Sequence, residues 1–319
     1  MRSSNGKGFW DGFVGLTWDG DSVRPLSEAS VPINDRGLNF GLGVFETLLV
    51  AQGHPVAWAS HRARLAGALD SLGWALAPLD DIDARICGLA RECVRFGAAP
   101  YWALKVLVTE GVGGTLREGD AGGLPGVYVS ARPIDICYLD GRNVEELAAD
   151  SLRLYVSIDE RARSLRRFKT TGYLASLVAL RQAWAAGCDD VVFLAENGFL
   201  SESSTASLAW IDGHGRIGYS DPDTVPCLPS TTLARLAASV RLRGGHMDPG
   251  TLGLNGLHGV KGAVLVSSLR GARAVSAIGS YLFDKVHSGR LAWQLNELLG
   301  LEVRQSLTPP SQPQQGVRP

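Results

Sequence analysis

In the first 133 residues, short alternating runs of hydrophobic and polar positions predict strands, and longer stretches have helical spacing. Leu65, Leu69 and Leu72 share one face of a helix that Ser60 caps and Gly73 ends. A second helix is expected over about residues 79–96. The runs that predict strands, rich in β-branched and aromatic residues, cover residues 13–18, 44–50, 55–58, 104–109 and 127–131.

The second half of the chain predicts a different order of elements. An Asn197-Gly198 pair, typical of tight hairpins, joins a strand at residues 191–194 to a strand returning through Trp210. Helices are expected over 171–186, from about Ser230 to Gly244, and over 292–299. The remaining strands cover residues 152–158, 264–267 and 274–277.

These elements divide the chain into four parts. Residues 1–133 form a small N-terminal domain, residues 134–150 a connector, and residues 151–305 a large domain. Residues 306–319 are rich in proline and glutamine, and we expect them to be disordered. The predicted class is α+β.

The composition of the chain argues against nucleic-acid binding, membrane insertion, disulfide bonds and metal binding. The 319 residues carry a formal net charge of −1, which gives no reason to expect nucleic acid or a membrane surface as a partner. No window is apolar enough for a membrane span. The five cysteines are scattered and odd in number, which predicts reduced thiols in a cytoplasmic protein. Except for His61, the histidines have no ligand spacing, and we predict no metal site.

Lysine is scarce, and one lysine stands at the start of a strong helix. Lys169 follows Phe168 and precedes an apolar helical stretch, a context that predicts partial burial of its amine. An amine held in a cleft can form an imine with a carbonyl cofactor, whereas arginine cannot. The alternative is a solvated surface charge.

Three further segments carry candidate chemistry, each with a plainer alternative. Glu202 lies on an apolar strand, where a buried carboxylate could pair with a protonated pyridine nitrogen. Alternatively, this strand is at the edge of a sheet and Glu202 faces water. The helix start at Ser230-Thr231-Thr232 could bind a phosphate with its free N–H groups, or Ser230 is an ordinary cap. Arg64 could bind a phosphate through two hydrogen bonds from its guanidinium group. Alternatively, Arg64 lies on the exposed face of its helix.

In this order along the chain, the segments resemble the fold-type IV family of pyridoxal-phosphate enzymes. That family includes branched-chain aminotransferases, D-amino-acid aminotransferases, (R)-selective amine transaminases and 4-amino-4-deoxychorismate lyase. The similarity extends from about Val31 to Leu301, and residues 34–46 resemble the family's D-R-x-x-x-F-G-x-G-x-[FY]-E stretch. The other matching segments are His61…Arg64-Leu65, Lys169-Thr170…Tyr173-Leu174, Glu202…Ser204-Thr205, Leu228-Pro229-Ser230-Thr231-Thr232 and Ser267-Ser268-Leu269-Arg270-Gly271.

The resemblance implies a two-domain α+β fold like that of D-amino-acid aminotransferase, with a small N-terminal α/β domain and a larger C-terminal domain with a mixed β core. It also implies pyridoxal 5′-phosphate as cofactor and a homodimer. Lys169 would carry the cofactor as a Schiff base and move protons, and Glu202 would pair with the pyridinium nitrogen. The phosphate would be bound by Arg64, Thr231, Thr232 and Ser268. Tyr173 would lie beside the cofactor. The substrate pocket would be lined by Phe45, Arg36 and Glu110.

Three positions depart from the family pattern. Ser230 stands where a glycine is usual, Leu42 replaces a frequent aspartate, and Glu110 replaces an arginine that often meets a substrate carboxylate. Glu110 could therefore favour an amine or a cationic substrate. Alternatively, Glu110 points to solvent.

The resemblance implies an aminotransferase that uses a small-molecule amino donor and a keto acceptor. A lyase of the aminodeoxychorismate type, which eliminates C–N or C–O bonds and releases pyruvate, is the alternative within the fold. A non-catalytic binding protein of the same fold is a third hypothesis. The presence of both Lys169 and Glu202 speaks against this third reading.

Overall fold

The computed structural model describes residues 15–18, 22–74, 79–97, 99–116, 124–159 and 163–307. Two β-sheets dominate the described residues, one built from each half of the chain, with helices packed against both. The arrangement is the predicted α+β class. The first strand lies partly in the predicted run at 13–18, whose first two residues are outside the described ranges.

The first sheet has the strand order β2-β1-β6-β5-β3-β4, and every pairing in it is antiparallel. Its strands are β1 (Leu16–Trp18), β2 (Val23–Pro25), β3 (Gly43–Ala51), β4 (His54–Pro55), β5 (Tyr101–Thr109) and β6 (Gly126–Pro133). The helices of this half are α1 (Arg36–Phe40), α2 (Trp58–Ser71) and α3 (Leu79–Phe96).

One face of the first sheet forms a core with α2 and α3. Trp102, Leu104, Val106 and Val108 alternate along β5 and are at most 1 % exposed, as period-2 alternation requires for a half-buried strand. In α3, the buried positions Ile82, Ile86, Leu89, Ala90 and Cys93 repeat with helical spacing and cover this face. The opposite face of the sheet is turned towards the second half of the chain.

The second sheet is mixed and closes on itself. Its order is β12-β11-β10-β13-β14-β7-β8-β9, with β15 beside β14, and β9 also pairs with β10 to close a barrel-like core. The strands are β7 (Leu152–Ile158), β8 (Asp190–Leu194), β9 (Leu200–Ser203), β10 (Ser207–Asp212), β11 (Ile217–Ser220), β12 (Met247–Gly250), β13 (Val260–Ser267), β14 (Gly271–Ile278) and β15 (Tyr281–Leu282). Its helices are α4 (Val144–Ala149), α5 (Leu174–Ala185), α6 (Thr231–Leu242) and α7 (Lys285–Leu307).

Several predicted boundaries are wrong, each for a local reason. Helix α2 begins at Trp58 after Ala57, which has a φ of 55°, so Ser60 is not its cap, and the strand predicted at 55–58 ends at Pro55 in β4. The strand returning from Asn197-Gly198 breaks after Ser203 and resumes at Ser207. The terminal helix α7 is longer than predicted and includes Ser306 and Leu307; the rest of the tail lies outside the described residues.

The predicted connector contains a helix. Helix α4 begins with a capping box, in which the Asn143 side chain accepts from the Glu146 N–H and the Glu146 carboxylate accepts from the Asn143 N–H. Leu147 and Ala148 of α4 are buried. Gly289 of α7 lies so close to α4 that a Cβ there would be 2.7 Å from the Val144 carbonyl oxygen. Residues 144–149 therefore form a helix that packs against α7.

Candidate active site

A cavity of about 740 Å³ lies between the two sheets and takes its walls from both halves of the chain. Phe45 and Thr47 of β3 line it from the first half, and Lys169, Glu202 and Ser268 from the second. Residues more than 200 positions apart in sequence therefore face one space. Of the predicted cofactor residues, all seven line this cavity: Arg64, Lys169, Tyr173, Glu202, Thr231, Thr232 and Ser268.

The backbone of Lys169 is held against the start of β3. The Phe45 N–H donates to the Lys169 carbonyl at 2.8 Å, and the Thr171 N–H donates to the Gly43 carbonyl at 2.9 Å. Gly43 permits this approach, because a Cβ there would lie 3.0 Å from Cγ2 of Thr171. The segment that carries the lysine is thus fixed by the strand that carries Phe45.

The Lys169 amine lies among aromatic side chains. Its Nζ is 4.7 Å from the centre of the Phe45 ring and 3.4 Å from the Tyr173 hydroxyl. The Phe45 and Tyr173 rings are themselves 5.8 Å apart. Within the described residues, no carboxylate forms an ion pair with this amine. The amine therefore lies at the cavity beside two aromatic side chains.

Glu202 lies at the end of β9, just before the break in the strand. Its side chain accepts a hydrogen bond from the Leu228 N–H at 3.1 Å, which links it to the segment that leads into α6. Glu202 is half-buried and lines the same cavity as Lys169. It does not face open water from an edge strand, because β9 is paired on both sides.

The predicted helix start at Ser230 is confirmed. The Ser230 hydroxyl caps α6 by accepting from the Leu233 N–H at 3.2 Å. The backbone N–H groups of Thr231 and Thr232 lie in the first turn of α6, where the helix has no carbonyl group to accept from them. Both threonines line the cavity, so an anion there would meet two N–H donors and the positive end of the helix dipole.

Arg64 lies at the predicted place, but its guanidinium fork is already engaged. Its Nε and Nη2 donate to the two carboxylate oxygens of Glu46 at 2.7 and 2.8 Å, and its Nη1 donates to the Pro229 carbonyl at 2.7 Å. A guanidinium has five N–H groups, so one on each terminal nitrogen remains for a phosphate. Arg64 can contact an anion with these two N–H groups, while Glu46 occupies its Nε–Nη2 edge.

His61 and Glu46 complete this buried group. The His61 Nδ1 lies 2.8 Å from the Glu46 carboxylate, and the two side chains are each 2 % exposed. Burial lowers the pKa of His61, and the hydrogen bond to Glu46 only partly offsets this effect. Burial raises the pKa of Glu46, but hydrogen bonds from His61 and Arg64 and the charge of Arg64 outweigh it and leave the pKa lowered. A neutral His61 therefore donates from Nδ1 to an ionised Glu46.

This arrangement predicts that the protein loses stability in mild acid. Below about pH 6.5, the ordinary pKa of histidine, the unfolded chain protonates His61 while the folded chain, with its lowered pKa, does not. Glu46 adds a second loss as the pH falls below about 4.5, because its pKa is also lower in the folded state. Melting temperatures measured from pH 8 to 4 should therefore fall on the acid side. A His61→Asn variant, which keeps a donor, should show a smaller fall between pH 7 and 5; an unchanged slope would contradict this assignment.

Ser268 lines the cavity from the turn between β13 and β14. Its hydroxyl donates to the Thr47 carbonyl at 3.1 Å and so ties this turn to β3 of the first sheet. A hydroxyl has one hydrogen to give. To donate to a phosphate, the Ser268 hydroxyl has to rotate away from Thr47.

The predicted substrate-pocket residues separate into two groups. Phe45 lines the cavity, whereas Arg36 and Glu110 are not among its lining residues. The Arg36 Nε lies 3.0 Å from Oε2 of Glu110, without hydrogen-bond alignment, and the two side chains are 4 % and 25 % exposed. Glu110 therefore neither points freely to solvent nor faces the cavity, because it neutralises a buried arginine.

Sequence reasoning gave no role to several residues at the site. Glu46 shares the buried face of β3 with Val44 and Leu48, so period-2 alternation already placed a carboxylate in the core, where it requires a cation. Arg166 also lines the cavity and forms an ion pair with Asp159, in which the two side chains are 3 % and 0 % exposed. No spacing signal marks Arg166 in the sequence.

Two wider searches cover only the described part of the chain. No group of three or more histidine, cysteine, aspartate or glutamate side chains there is arranged to hold a metal ion. No helix there is both long and apolar enough to cross a membrane.

A family model for amino-transferase class IV matches residues 43–278, which is most of the chain and includes both walls of the cavity. The chain belongs to this family. A curated relative, the bifunctional aminodeoxychorismate lyase / D-amino acid transaminase of Mycobacterium tuberculosis (strain ATCC 25618 / H37Rv), is 27 % identical over 276 residues, 82 % of this chain and 90 % of the relative.

Solved structures of class IV relatives share the fold. A fold IV transaminase from Curtobacterium pusillum is 24 % identical, with a TM-score of 0.72 over 92 % of this chain and 98 % of the other. A branched-chain aminotransferase from Thermoproteus uzoniensis is 17 % identical, with a TM-score of 0.74 over 92 % and 95 % of the two chains. These similarities confirm the fold-type IV architecture.

Class IV aminotransferases use pyridoxal phosphate, and the cavity of this family member fits that group. The cavity offers an amine for the aldehyde in Lys169 and a carboxylate for a protonated ring nitrogen in Glu202. The start of α6 offers N–H groups for a phosphate. The aldehyde, the ring nitrogen and the phosphate of the cofactor would therefore each have a chemically matched group in the cavity.

Proposed function

We propose that this protein is a pyridoxal-phosphate-dependent aminotransferase that takes an amino group from a small amino acid or amine and gives it to a keto acceptor. The observation that carries the proposal is the convergence of Lys169, Glu202 and the α6 N-terminus on one cavity. Family membership supports the same class of enzyme.

The bound cofactor supplies an aldehyde that bonds amines and a ring that stabilises negative charge on the substrate carbon. Lys169 is the residue that holds the aldehyde at rest, and its amine afterwards takes up and returns protons as a general base and acid. Tyr173, whose hydroxyl is 3.4 Å from Nζ, orients this amine. Phe45 excludes water from one side of it.

Glu202 holds a proton on the ring nitrogen. A carboxylate with this role stabilises the nearby cation by about 1.5–3 kcal/mol through a charge-assisted hydrogen bond. The Leu228 N–H donates to the same carboxylate and fixes its orientation. By keeping the ring nitrogen protonated, Glu202 would favour removal of the substrate proton by Lys169.

The phosphate is held mainly by the start of α6. The backbone N–H groups and hydroxyls of Thr231 and Thr232 bind it. The two remaining N–H groups of Arg64 donate further hydrogen bonds and bring a positive charge. Glu46 neutralises much of that charge but holds the guanidinium plane in place. We include Ser268 in the set as a donor that rotates on binding.

A lyase activity is the second candidate, and one observation favours it. The relative that is 27 % identical over 82 % of this chain is named for both aminodeoxychorismate lyase and D-amino acid transaminase activities. The same lysine and carboxylate serve both reactions, since each begins with removal of a proton from the substrate carbon. The difference lies in whether pyruvate leaves or the amino group is transferred.

A single-turnover experiment separates the two candidates. The holoenzyme is mixed with a panel of D- and L-amino acids and with aminodeoxychorismate, in the absence of a keto acid, and its absorbance and the released pyruvate are followed. We expect the cofactor to convert to its pyridoxamine form with at least one amino acid. Pyruvate release with no lasting change of the cofactor would identify a lyase instead, and no reaction with any compound would overturn both candidates.

Three further features of the protein remain proposals. We propose a homodimer, and the division into domains at residues 1–133 and 151–305, joined by a connector at residues 134–150. We also propose a cytoplasmic location, which four cysteines without disulfides among the described side chains support: Cys87, Cys93, Cys188 and Cys227.

A further inference from the structure

Arg166 stands three residues before Lys169 and is one of the side chains that line the cavity. Its guanidinium group binds protein oxygens from two other segments. Nη1 lies 2.8 Å from Oδ2 of Asp159 and donates to the Pro226 carbonyl at 2.9 Å, and Nη2 donates to the Asp159 carbonyl at 3.2 Å. Nη1 therefore has a protein oxygen for each of its two hydrogens.

One of these acceptors belongs to residues 226–230, a segment that we call the strap. The Leu228 N–H of the strap donates to Glu202 at 3.1 Å, and the next carbonyl along the chain accepts from Arg64 at 2.7 Å. The strap ends at Ser230, the cap of α6. It therefore contacts or leads into the groups that we assign to the ring nitrogen and to the phosphate of the cofactor.

The segment that carries Lys169 is held from two sides. Its backbone is bonded to β3 in the first half of the chain. Arg166 joins it to the second half, both at the strap and at Asp159, whose N–H is bonded to the end of β8. The strap has a further bond of its own, since the Ser201 hydroxyl also donates to the Pro226 carbonyl at 2.9 Å. Loss of Arg166 would therefore leave the strap in place and release one side of the Lys169 segment.

The ion pair of Arg166 with Asp159 is buried, and the two side chains are 3 % and 0 % exposed. Burial of two charges is costly, and apolar residues in their place often stabilise a fold equally well or better. Stability alone therefore gives little reason for a charged pair in this wall of the cavity. A planar guanidinium group that binds two segments at once does fix their relative position.

We infer that Arg166 is a positioning residue, which holds the Lys169 amine in line with the cofactor aldehyde once the strap and α6 have anchored the ring and the phosphate. This inference rests on the proposed role of Lys169 and names a residue on which that role depends. Two reacting groups held in the right geometry react as if at very high concentration, and a displacement of about 1 Å can cost a hundredfold. Because Arg166 acts through Lys169, its effect should vanish when the Lys169 amine is absent.

The test variant has to avoid a buried unpaired charge. Removing Arg166 alone would leave the Asp159 carboxylate without its cation, which is strongly destabilising. We therefore replace both charges with apolar side chains, in the double variant Arg166→Met with Asp159→Val. Arg166→Lys is a second variant, which keeps a charge for Asp159 but has one nitrogen in place of the planar group.

The neighbouring residue Arg167 offers a matched control. It pairs with Asp223 at 3.2 Å, and the two side chains are 61 % and 81 % exposed. This pair also joins the Lys169 segment to the residues just before the strap, but an exposed pair of this kind contributes little. Arg167→Met should therefore behave like wild type.

The test measures cofactor binding and not turnover, by calorimetry on the full chain after its cofactor has been removed. Pyridoxal 5′-phosphate can bond to Lys169, whereas pyridoxamine 5′-phosphate has no aldehyde and binds only through its ring and phosphate. We expect wild type and Arg167→Met to bind the aldehyde form more tightly than the amine form. The double variant should bind the aldehyde form roughly tenfold or more weakly and the amine form as tightly as wild type does. Arg166→Lys should change in the same direction by a smaller factor.

The same double replacement made in a Lys169→Ala background should change neither affinity, because the group that Arg166 positions is gone. A loss of equal size for both cofactor forms, no loss for either, or an undiminished loss in the Lys169→Ala background would each overturn the positioning role. Equal affinity of wild type for the two forms would overturn it as well. The aminotransferase proposal fails on a different result, namely that no amino donor converts the cofactor to its pyridoxamine form.

Discussion

Replacing Lys169 with alanine should reduce turnover by at least about a thousandfold while the protein remains folded. The side chain both holds the cofactor and moves the proton, and a general acid–base group alone contributes a hundredfold to ten-thousandfold. No other lysine amine lines the cavity within the described residues. The measurement is the rate of the amino-donor half-reaction, followed by absorbance.

The fold of this variant should survive, because Lys169 is held by its backbone. The bonds from the Phe45 N–H to the Lys169 carbonyl and from the Thr171 N–H to the Gly43 carbonyl do not involve the side chain. Circular dichroism and the melting temperature check this point, and Lys261→Ala is the control for loss of a lysine at an exposed site. Wild-type turnover in folded Lys169→Ala protein would refute the assignment.

Replacing Glu202 should slow proton removal from the substrate by about a hundredfold or more, in the range found when a preorganised electrostatic contact is deleted. Glu202→Ala removes the charge and also leaves the Leu228 N–H without its acceptor. Glu202→Gln keeps an acceptor for that N–H but carries no charge. Both variants should therefore be slow if the negative charge of Glu202 beside the ring nitrogen is what matters.

The two Glu202 variants also distinguish an electrostatic role of Glu202 from a purely structural one. If Glu202 only anchors the segment before α6, Glu202→Gln should retain the wild-type rate and only Glu202→Ala should be slow. Glu196→Gln removes a carboxylate from the exposed turn between β8 and β9 and is the matched control. The rate of pyridoxamine formation under single-turnover conditions decides between the two roles.

Elements with local signals were predictable from the sequence. The Asn197-Gly198 turn joins β8 and β9 as expected, with Gly198 at a φ of 81°, and Ser230 caps α6. The capping box of Asn143 and Glu146 is an equally local signal for α4, within the segment expected to be a connector. The start of α2 was not predictable from a cap residue, because Ala57 leads into it with a left-handed backbone conformation and no side-chain cap.

The resemblance named seven residues that line the cavity as expected, but Arg36 and Glu110 do not line it, and the pairings of the side chains were not predictable. The resemblance placed Lys169, Glu202 and the threonines of α6 together, and the cavity contains them all. The pairing of Arg36 with Glu110 joins residues 74 positions apart in sequence through the packing of α1 against the end of β5, which no local pattern encodes. The place of Arg166 depends in the same way on the contact between the Lys169 segment and the strap.

Borohydride reduction of the holoenzyme followed by peptide mass analysis tests the central claim most directly. We predict a yellow protein that loses its colour on reduction and gains the mass of the reduced cofactor in the one peptide that contains Lys169. The same mass on a peptide containing Lys105 or Lys261, or a protein that binds no pyridoxal phosphate at all, would contradict the account.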